Sequence, residues 1–140
     1  MVNKGNVQIL VDALRSGEYA QCTGSLVLHH EDGSREYCCL GVATVLAIKA
    51  GVKVTEDGTN PNSSCSCNSC RRSVKFQDPS GTVTAQVLPP AVKAFYGFDF
   101  MDPELLDEDN SRTTATQLND RKKYSFPRIA DAFERTYLHE

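Results

Sequence analysis

The chain has no tryptophan and no apolar run of the length, about 20 residues, that a membrane-spanning helix needs. Residues 1–5 lead into an amphipathic segment and not into an apolar stretch, so the sequence predicts no secretory signal peptide. The net charge is only −3, which argues against general binding to nucleic acid. Glycine-rich phosphate loops, His-Glu metal helices and Gly-x-Ser-x-Gly elbows are also missing. The sequence therefore predicts a protein that binds neither membranes nor nucleic acid in general and belongs to none of these enzyme classes.

The composition is that of a globular domain. With 140 residues, 40% of them hydrophobic and 24% charged, the chain can bury a proper core as one domain over residues 1–140. Without an export signal, its cysteines are expected to be reduced thiols or metal ligands and not disulfides. The six are Cys22, Cys38, Cys39, Cys65, Cys67 and Cys70.

Local patterns predict an α+β fold. Val7, Leu10, Val11 and Leu14 follow helical spacing, whereas Asp32-Gly33 is a hairpin signature. We predict helices over 6–16, 39–50, 89–96 and 126–138, hairpins near 26–37 and 74–88, and a further strand over 114–118. The expected architecture is a small single domain with a mainly antiparallel sheet of hairpins and about four helices packed on it. The predicted core is Leu10, Leu14, Leu28, Cys39, Val42, Leu46, Val83, Val87, Val92, Phe95, Ile129 and Phe133.

Two adjacent cysteines stand where a polar hairpin turns into an apolar helix. A thiol at a helix start lies near the positive end of the helix dipole, which lowers its pKa and favours reactivity. Together with a histidine and an Asn or Asp, such a thiol would form a papain-like site. Packing of a small residue in the core explains the same pattern. The candidate catalytic residues are Cys38 or Cys39, His29 or His30 (His30 sharing a strand face with Leu26 and Leu28), and Asn119 or Asp120.

Residues 56–72 form a polar, cysteine-containing loop that looks like an insertion. Its Cys65, Cys67 and Cys70 give the spacing C-x-C-x-x-C, whereas structural zinc takes four ligands. Cys22, Cys38 or a histidine could supply the fourth. A plain loop without metal is the alternative, and no other cofactor is indicated.

Two charged segments remain. Residues 99–109 hold six carboxylates without the ligand spacing of an EF-hand, so we predict a solvated negative loop. A basic patch precedes the last helix, whose N-terminus favours anions. A solvated face is the alternative to an anion site there. The candidate ligand-binding residues are Arg121, Lys122, Lys123, Ser125 and Arg128.

Five short sequence motifs, in this order, resemble motifs of a family of small proteins of tailed phages, abundant in phages of actinobacteria. They are residues 13–19 (ALRSGEY), 37–42 (YCCLGV), 88–92 (LPPAV), 118–120 (LND) and 125–131 (SFPRIAD). Family members often carry Trp where this chain has Phe95 and a third cysteine near Val45, and the Cys65–Cys70 loop is an insertion special to this chain. The resemblance implies a phage origin and a location in the host cytoplasm, and it supplies no mechanism.

Three functions are compatible with these patterns. The leading hypothesis is a non-enzymatic accessory protein that binds a host factor, either a protein or a small anionic signal such as an immune nucleotide. The second is a cysteine-dependent hydrolase or transferase that uses Cys38 or Cys39 with a histidine. The third is a zinc-stabilised protein-interaction module.

Overall fold

The computed structural model describes residues 2–30, 32–57 and 71–138. The four α-helices are α1 (Lys4–Ser16), α2 (Cys39–Lys49), α3 (Pro90–Tyr96) and α4 (Phe126–Phe133). Gln117–Arg121 form a π-helical turn, and a second π-helical segment, Glu134–Leu138, directly continues α4. The strands are β1 (Val27–His30), β2 (Arg35–Tyr37), β3 (Thr55–Asp57), β4 (Arg71–Ser73), β5 (Lys75–Gln77), β6 (Val83–Thr84), β7 (Glu104–Leu106) and β8 (Arg112–Thr114).

The strands form three small antiparallel sheets, with the orders β2-β1-β4, β3-β5-β6 and β7-β8. The predicted α+β class and both predicted hairpins, β1-β2 and β5-β6, are confirmed. The first two sheets are joined by backbone bonds: the Leu26 N–H donates to the Ala85 carbonyl at 2.7 Å and the Val74 N–H to the Val27 carbonyl at 2.9 Å. The sheets β2-β1-β4 and β3-β5-β6 are therefore joined, whereas β7-β8 forms a separate sheet.

Helix α1 shows how the apolar spacing becomes packing. Its start is capped by Asn3, whose Oδ1 accepts from the Asn6 N–H at 3.1 Å, and it ends at Gly17. Its four buried residues are the ones that the spacing predicted, and this face packs against α4, α2 and α3. Helix α1 therefore packs against all three of the other α-helices.

One residue of the predicted core is wrong, since Val83 is exposed, whereas Leu28, Leu46, Val87 and Phe95 are partly buried. In β6 the register pairs Thr84 with buried Phe76, so Thr84 and not Val83 lies on the inner face. In α3 the ring of Tyr96 takes the place predicted for Phe95, and its hydroxyl donates to the Ala43 carbonyl at 2.7 Å.

Two secondary-structure predictions are also wrong. The strand expected over 114–118 ends at Thr114, and the chain is helical from Ala115 onward, with the π-helical turn starting at Gln117. The predicted loop over 56–72 contains strand residues at both described ends, Glu56–Asp57 in β3 and Arg71–Arg72 in β4. These segments pair with β5 and β1, so distant partners stabilise strands that their polar composition did not indicate.

Candidate functional sites

The cysteine pair lies where α2 starts against the entry of β1. The Cys38 N–H donates to the Leu26 carbonyl at 3.0 Å, which brings the first turn of α2 onto the backbone of Leu26. A Cβ on Gly41 would lie 1.8 Å from that carbonyl oxygen, far inside any contact distance. The thiol of Cys38 caps the helix, since its Sγ accepts from the Gly41 N–H at 3.4 Å. The Cys-Cys-Leu-Gly motif therefore allows a close contact between the first turn of α2 and the backbone just before β1.

Both thiols of the pair are inside the protein. The Sγ of Cys39 donates to the Ala115 carbonyl at 3.7 Å. Burial raises the pKa of the Cys38 thiol to about 12, and burial likewise raises the pKa of Cys39 well above its usual value. The loss of hydration thus outweighs the helix dipole that would favour a thiolate.

Asn119 joins the start of α2 to the preceding loop. Its Oδ1 accepts from Gln21 Nε2 at 2.9 Å and from the Cys39 N–H at 3.3 Å. Its Nδ2 donates to the Cys22 carbonyl at 2.7 Å and to Asp120 Oδ1 at 2.8 Å. The structure therefore brings four of the candidate catalytic residues together: Cys38, Cys39, Asn119 and Asp120. Their bonds to one another and to the backbone are those of a structural anchor.

The candidate histidines do not join this cluster. His30 Nε2 lies 2.5 Å from Glu36 Oε1, and His29 Nδ1 accepts from Arg35 Nε at 3.1 Å. The bond of Cys38 to β1 is made at Leu26, four residues before His30, which corresponds to roughly 13 Å along an extended strand. Among the described residues, no histidine therefore stands beside a cysteine as a general base.

The candidate zinc ligands Cys65, Cys67 and Cys70 lie outside the described residues, so the zinc site stays a prediction of the sequence. The ranges that are described contain no group of three or more His, Cys, Asp or Glu residues with a geometry that could hold a metal ion. Cys22, one suggested fourth ligand, donates its thiol to the Ser25 carbonyl at 3.5 Å.

Two of the candidate anion-binding residues contact carboxylates of the segment 99–109. Lys122 Nζ lies 2.7 Å from Asp107 Oδ2, and the Asp107 carboxylate also accepts from the backbone N–H groups of Asp109 and Ser111. The bond from Lys122 and that from the Ser111 N–H hold the pKa of Asp107 down at about 2. Arg128 makes a two-bond pair with Glu108, at 3.0 and 2.6 Å, and its guanidinium lies 3.9 Å from the centre of the Tyr124 ring.

The prediction of a wholly solvated negative loop is therefore wrong for part of this segment. Asp107 is only 2% exposed, because its carboxylate closes the turn between β7 and β8. The acidic segment supplies the counter-charges of the basic patch.

Three candidate anion-binding residues, Arg121, Lys123 and Ser125, make no ion pair or helix-capping bond within the described part of the chain. Arg121 and Lys123 are exposed, and the described part of the chain contains no ion pair for either of them. The Ser125 hydroxyl caps no N–H group of α4, although Ser125 is the residue that precedes the helix. The start of α4 thus keeps two positive charges and one hydroxyl open to solvent.

A groove that was not predicted from the sequence lies between β7 and the π-helical segment Glu134–Leu138. Its volume is about 300 Å³, at the lower end for binding pockets, and Val2, Asp99, Phe100, Glu104, Leu106 and Tyr137 are among its lining residues. Phe100 is 56% exposed. An aromatic residue between Asp99 and Asp102, where a solvated loop was predicted, was the available sign of this groove.

The wall of the groove is tied down by side chains of the last helical segment. The Leu106 N–H donates to Thr136 Oγ1 at 2.8 Å, and the Tyr137 hydroxyl donates to the Glu104 carbonyl at 2.7 Å. Burial, and then the nearby carboxylates of Asp99 and Glu104, raise the pKa of Tyr137 to about 12. The groove is therefore preformed and has a negative rim.

Comparison with known proteins assigns the chain to a family. The family model described as Domain of unknown function (DUF8296) matches residues 4–137. The chain belongs to the DUF8296 family. The match covers the cysteine pair and, apart from Val2, the residues that line the groove of this DUF8296 protein. No curated protein and no solved structure matches the chain. Within the described ranges, no helix has the length and apolar character needed to cross a bilayer.

Proposed function

We propose that this DUF8296 protein is a non-enzymatic binding protein that engages a protein of its host through the groove beside Phe100. The observation that carries the proposal is the exposed ring of Phe100 in a preformed groove. Large apolar side chains gathered at a concave surface are typical of interaction sites. The phage origin and the action in the host cytoplasm rest on the resemblance of the five short sequence motifs alone.

The geometry of the cysteine pair favours binding over catalysis. A nucleophilic thiol has to reach its substrate and has to be a thiolate at working pH. Cys38 is 3% exposed and caps α2 through its sulfur, and burial raises its pKa to about 12. The cysteine-dependent hydrolase or transferase therefore lacks an accessible nucleophile among the described thiols.

Site-specific crosslinking in actinobacterial cells tests this proposal. A photo-crosslinking amino acid at position 100 is expected to trap a discrete host protein. The same amino acid at position 9 is the control, because Ile9 on α1 is 54% exposed and is not among the residues that line the groove. Identical products from both positions, or none from position 100, would contradict the proposal.

A second candidate function is binding of a small anion, such as a nucleotide, at the start of α4. It is favoured by the uncommitted Ser125 hydroxyl next to exposed Arg121 and Lys123. N–H groups in the first turn of a helix attract phosphate and carboxylate. The pairs of Lys122 with Asp107 and of Arg128 with Glu108 reduce the available charge. This site is therefore smaller than the five-residue site predicted from the sequence.

A thermal-shift screen of nucleotides and cyclic nucleotides tests the second candidate. A ligand at about 100 times its Kd should add roughly 2.7 kcal/mol of stability, and the shift should shrink as salt rises. It should vanish in Arg121→Glu/Lys123→Glu and persist in Lys53→Glu/Lys75→Glu, which changes the net charge equally at another surface. If no nucleotide shifts the wild type, the small-ligand function is excluded and the protein partner remains.

A further inference from the structure

We infer that the groove beside Phe100 selects a partner segment in which an apolar side chain stands next to a lysine or arginine. This inference rests on the proposed function and adds the chemistry of the partner to it. It follows from three features of the groove: its apolar floor, its unbalanced carboxylates and its fixed wall.

The apolar part of the groove accounts for one side chain of the partner. Phe100 presents more than half of its surface to solvent, and Leu106 and Tyr137 are half-buried beside it. Covering such a ring with an aliphatic or aromatic side chain removes apolar surface from water, which favours association. The volume of about 300 Å³ suits one or two side chains and not a folded domain.

The charge of the groove accounts for the second side chain. Asp99 has no hydrogen bond or ion pair with any other described residue. Among the described residues, Glu104 has a single ionic neighbour, Arg112, at 4.0 Å, and the Arg112 side chain is 84% exposed. Two carboxylates thus face one loosely held guanidinium, and a cation from the partner would restore the balance. A partner carboxylate would instead meet like charge, which supplies selectivity.

The fixed wall of the groove makes this selectivity available without rearrangement. Thr136 and Tyr137 hold the outer edge of β7 through the Leu106 N–H and the Glu104 carbonyl. Because these backbone groups are already bonded, the partner is not expected to extend the sheet as an added strand. Recognition is therefore expected to go through side chains on a preformed surface.

Fluorescence polarisation with synthetic peptides tests the inference on the full chain. The probe, called the Leu-Lys peptide, is a labelled octapeptide in which two leucines each follow a lysine. In one matched peptide, the Leu-Glu peptide, glutamate replaces lysine. In the other matched peptide, serine replaces leucine. We expect the Leu-Lys peptide to bind at least about 10-fold more tightly than either matched peptide and to lose affinity as salt rises.

Variants locate the binding. Phe100→Ser and Asp99→Lys should each weaken binding of the Leu-Lys peptide about 10-fold or more, with unchanged Tm. Ile9→Ser and Glu18→Lys, equivalent changes on other exposed surfaces, should leave it unchanged. Equal loss in the control variants would overturn the inference, as would equal binding of the Leu-Glu peptide or no binding of the Leu-Lys peptide. If crosslinking at position 100 still traps a host protein in that case, the proposed function stands and only the partner chemistry is wrong.

Discussion

The starts of α2 and α4 carry two of the sets of residues that indicated chemistry in the sequence, the candidate catalytic and the candidate anion-binding residues, and they are built in opposite ways. At α2 the capping sulfur of Cys38 is bonded to Gly41, and Asn119 satisfies the Cys39 N–H. At α4 the hydroxyl of Ser125 caps nothing and faces solvent. The cysteine motif at the start of α2 therefore marks a packing contact, whereas the start of α4 keeps the Ser125 hydroxyl free of hydrogen bonds to the helix. Burial decides the difference, because an enclosed polar group has to be bonded inside the protein whereas an exposed one is free for a ligand.

The largest effect is expected at the closest contact of α2. Gly41→Ala should cost at least about 3 kcal/mol of unfolding free energy, because the added Cβ would lie 1.8 Å from the Leu26 oxygen and force helix and strand apart. Urea denaturation measures it. Gly5→Ala in α1 is the control, since its Cβ would meet only Asn3 Oδ1 at 3.5 Å and the change should be neutral or stabilising. Equal effects of the two substitutions would show that α2 does not cross β1 so closely.

The next largest effect is expected at Asn119. Asn119→Ala should cost about 2 kcal/mol, because the buried Cys39 N–H would lose its bond to Oδ1 and the bonds of Nδ2 would be lost as well. Asn3→Ala, which removes an exposed cap from α1, should cost only about 1 kcal/mol. An Asn119 variant no less stable than the Asn3 variant would contradict the role of Asn119 as the anchor of the α2 start.

A smaller effect, visible through pH, is expected at Asp107. Because its folded pKa is lowered to about 2, the carboxylate stabilises the fold at pH values above its ordinary pKa of about 4. That stabilisation is lost as the pH falls from about 4 towards 2. Asp107→Asn should therefore be less stable than the wild type at pH 7, with a difference that shrinks towards pH 2. A difference for Asp107→Asn that is constant with pH would exclude the carboxylate as its cause.

The smallest effect is expected at Ser125. Ser125→Ala should change the unfolding free energy by less than about 0.5 kcal/mol, because the hydroxyl caps no N–H group. Equilibrium denaturation of Ser125→Ala, measured alongside Asn3→Ala, checks this prediction. A loss near 1 kcal/mol would show that Ser125 caps α4 in solution, and the contrast between the two helix starts would then be smaller.

Local patterns predicted those parts of the fold that depend on local contacts. The spacing in α1 and the turn at Asp32-Gly33 identify a helix and a hairpin because both are closed within a few residues. The inner face of β6 could not be predicted. With two residues, this strand is too short for alternation to be informative, and its pairing with Phe76 brings Thr84 inside.

The functional sites were predictable only as lists of residues. The sequence placed Cys39 and Asn119 in one hypothetical site, and they do meet across 80 residues, but as a backbone anchor. From the sequence, Lys122 was expected to bind a ligand and Asp107 to face solvent, whereas the two side chains bind each other. Which polar groups pair depends on the tertiary fold, and residue types and spacing do not contain that information.

The reactivity of Cys38 tests most directly the claim that the cysteine pair is structural. Native protein is treated with iodoacetamide at pH 7 and each cysteine is followed by peptide mass spectrometry, with protein unfolded in urea as the control. Since the pKa of Cys38 is raised to about 12, its thiolate fraction should be about 1000-fold below that of an ordinary thiol. We predict that Cys38 and Cys39 stay unmodified in the native protein and react fully when it unfolds. Alkylation of native Cys38 faster than in the unfolded chain would reveal an activated thiolate and contradict the account.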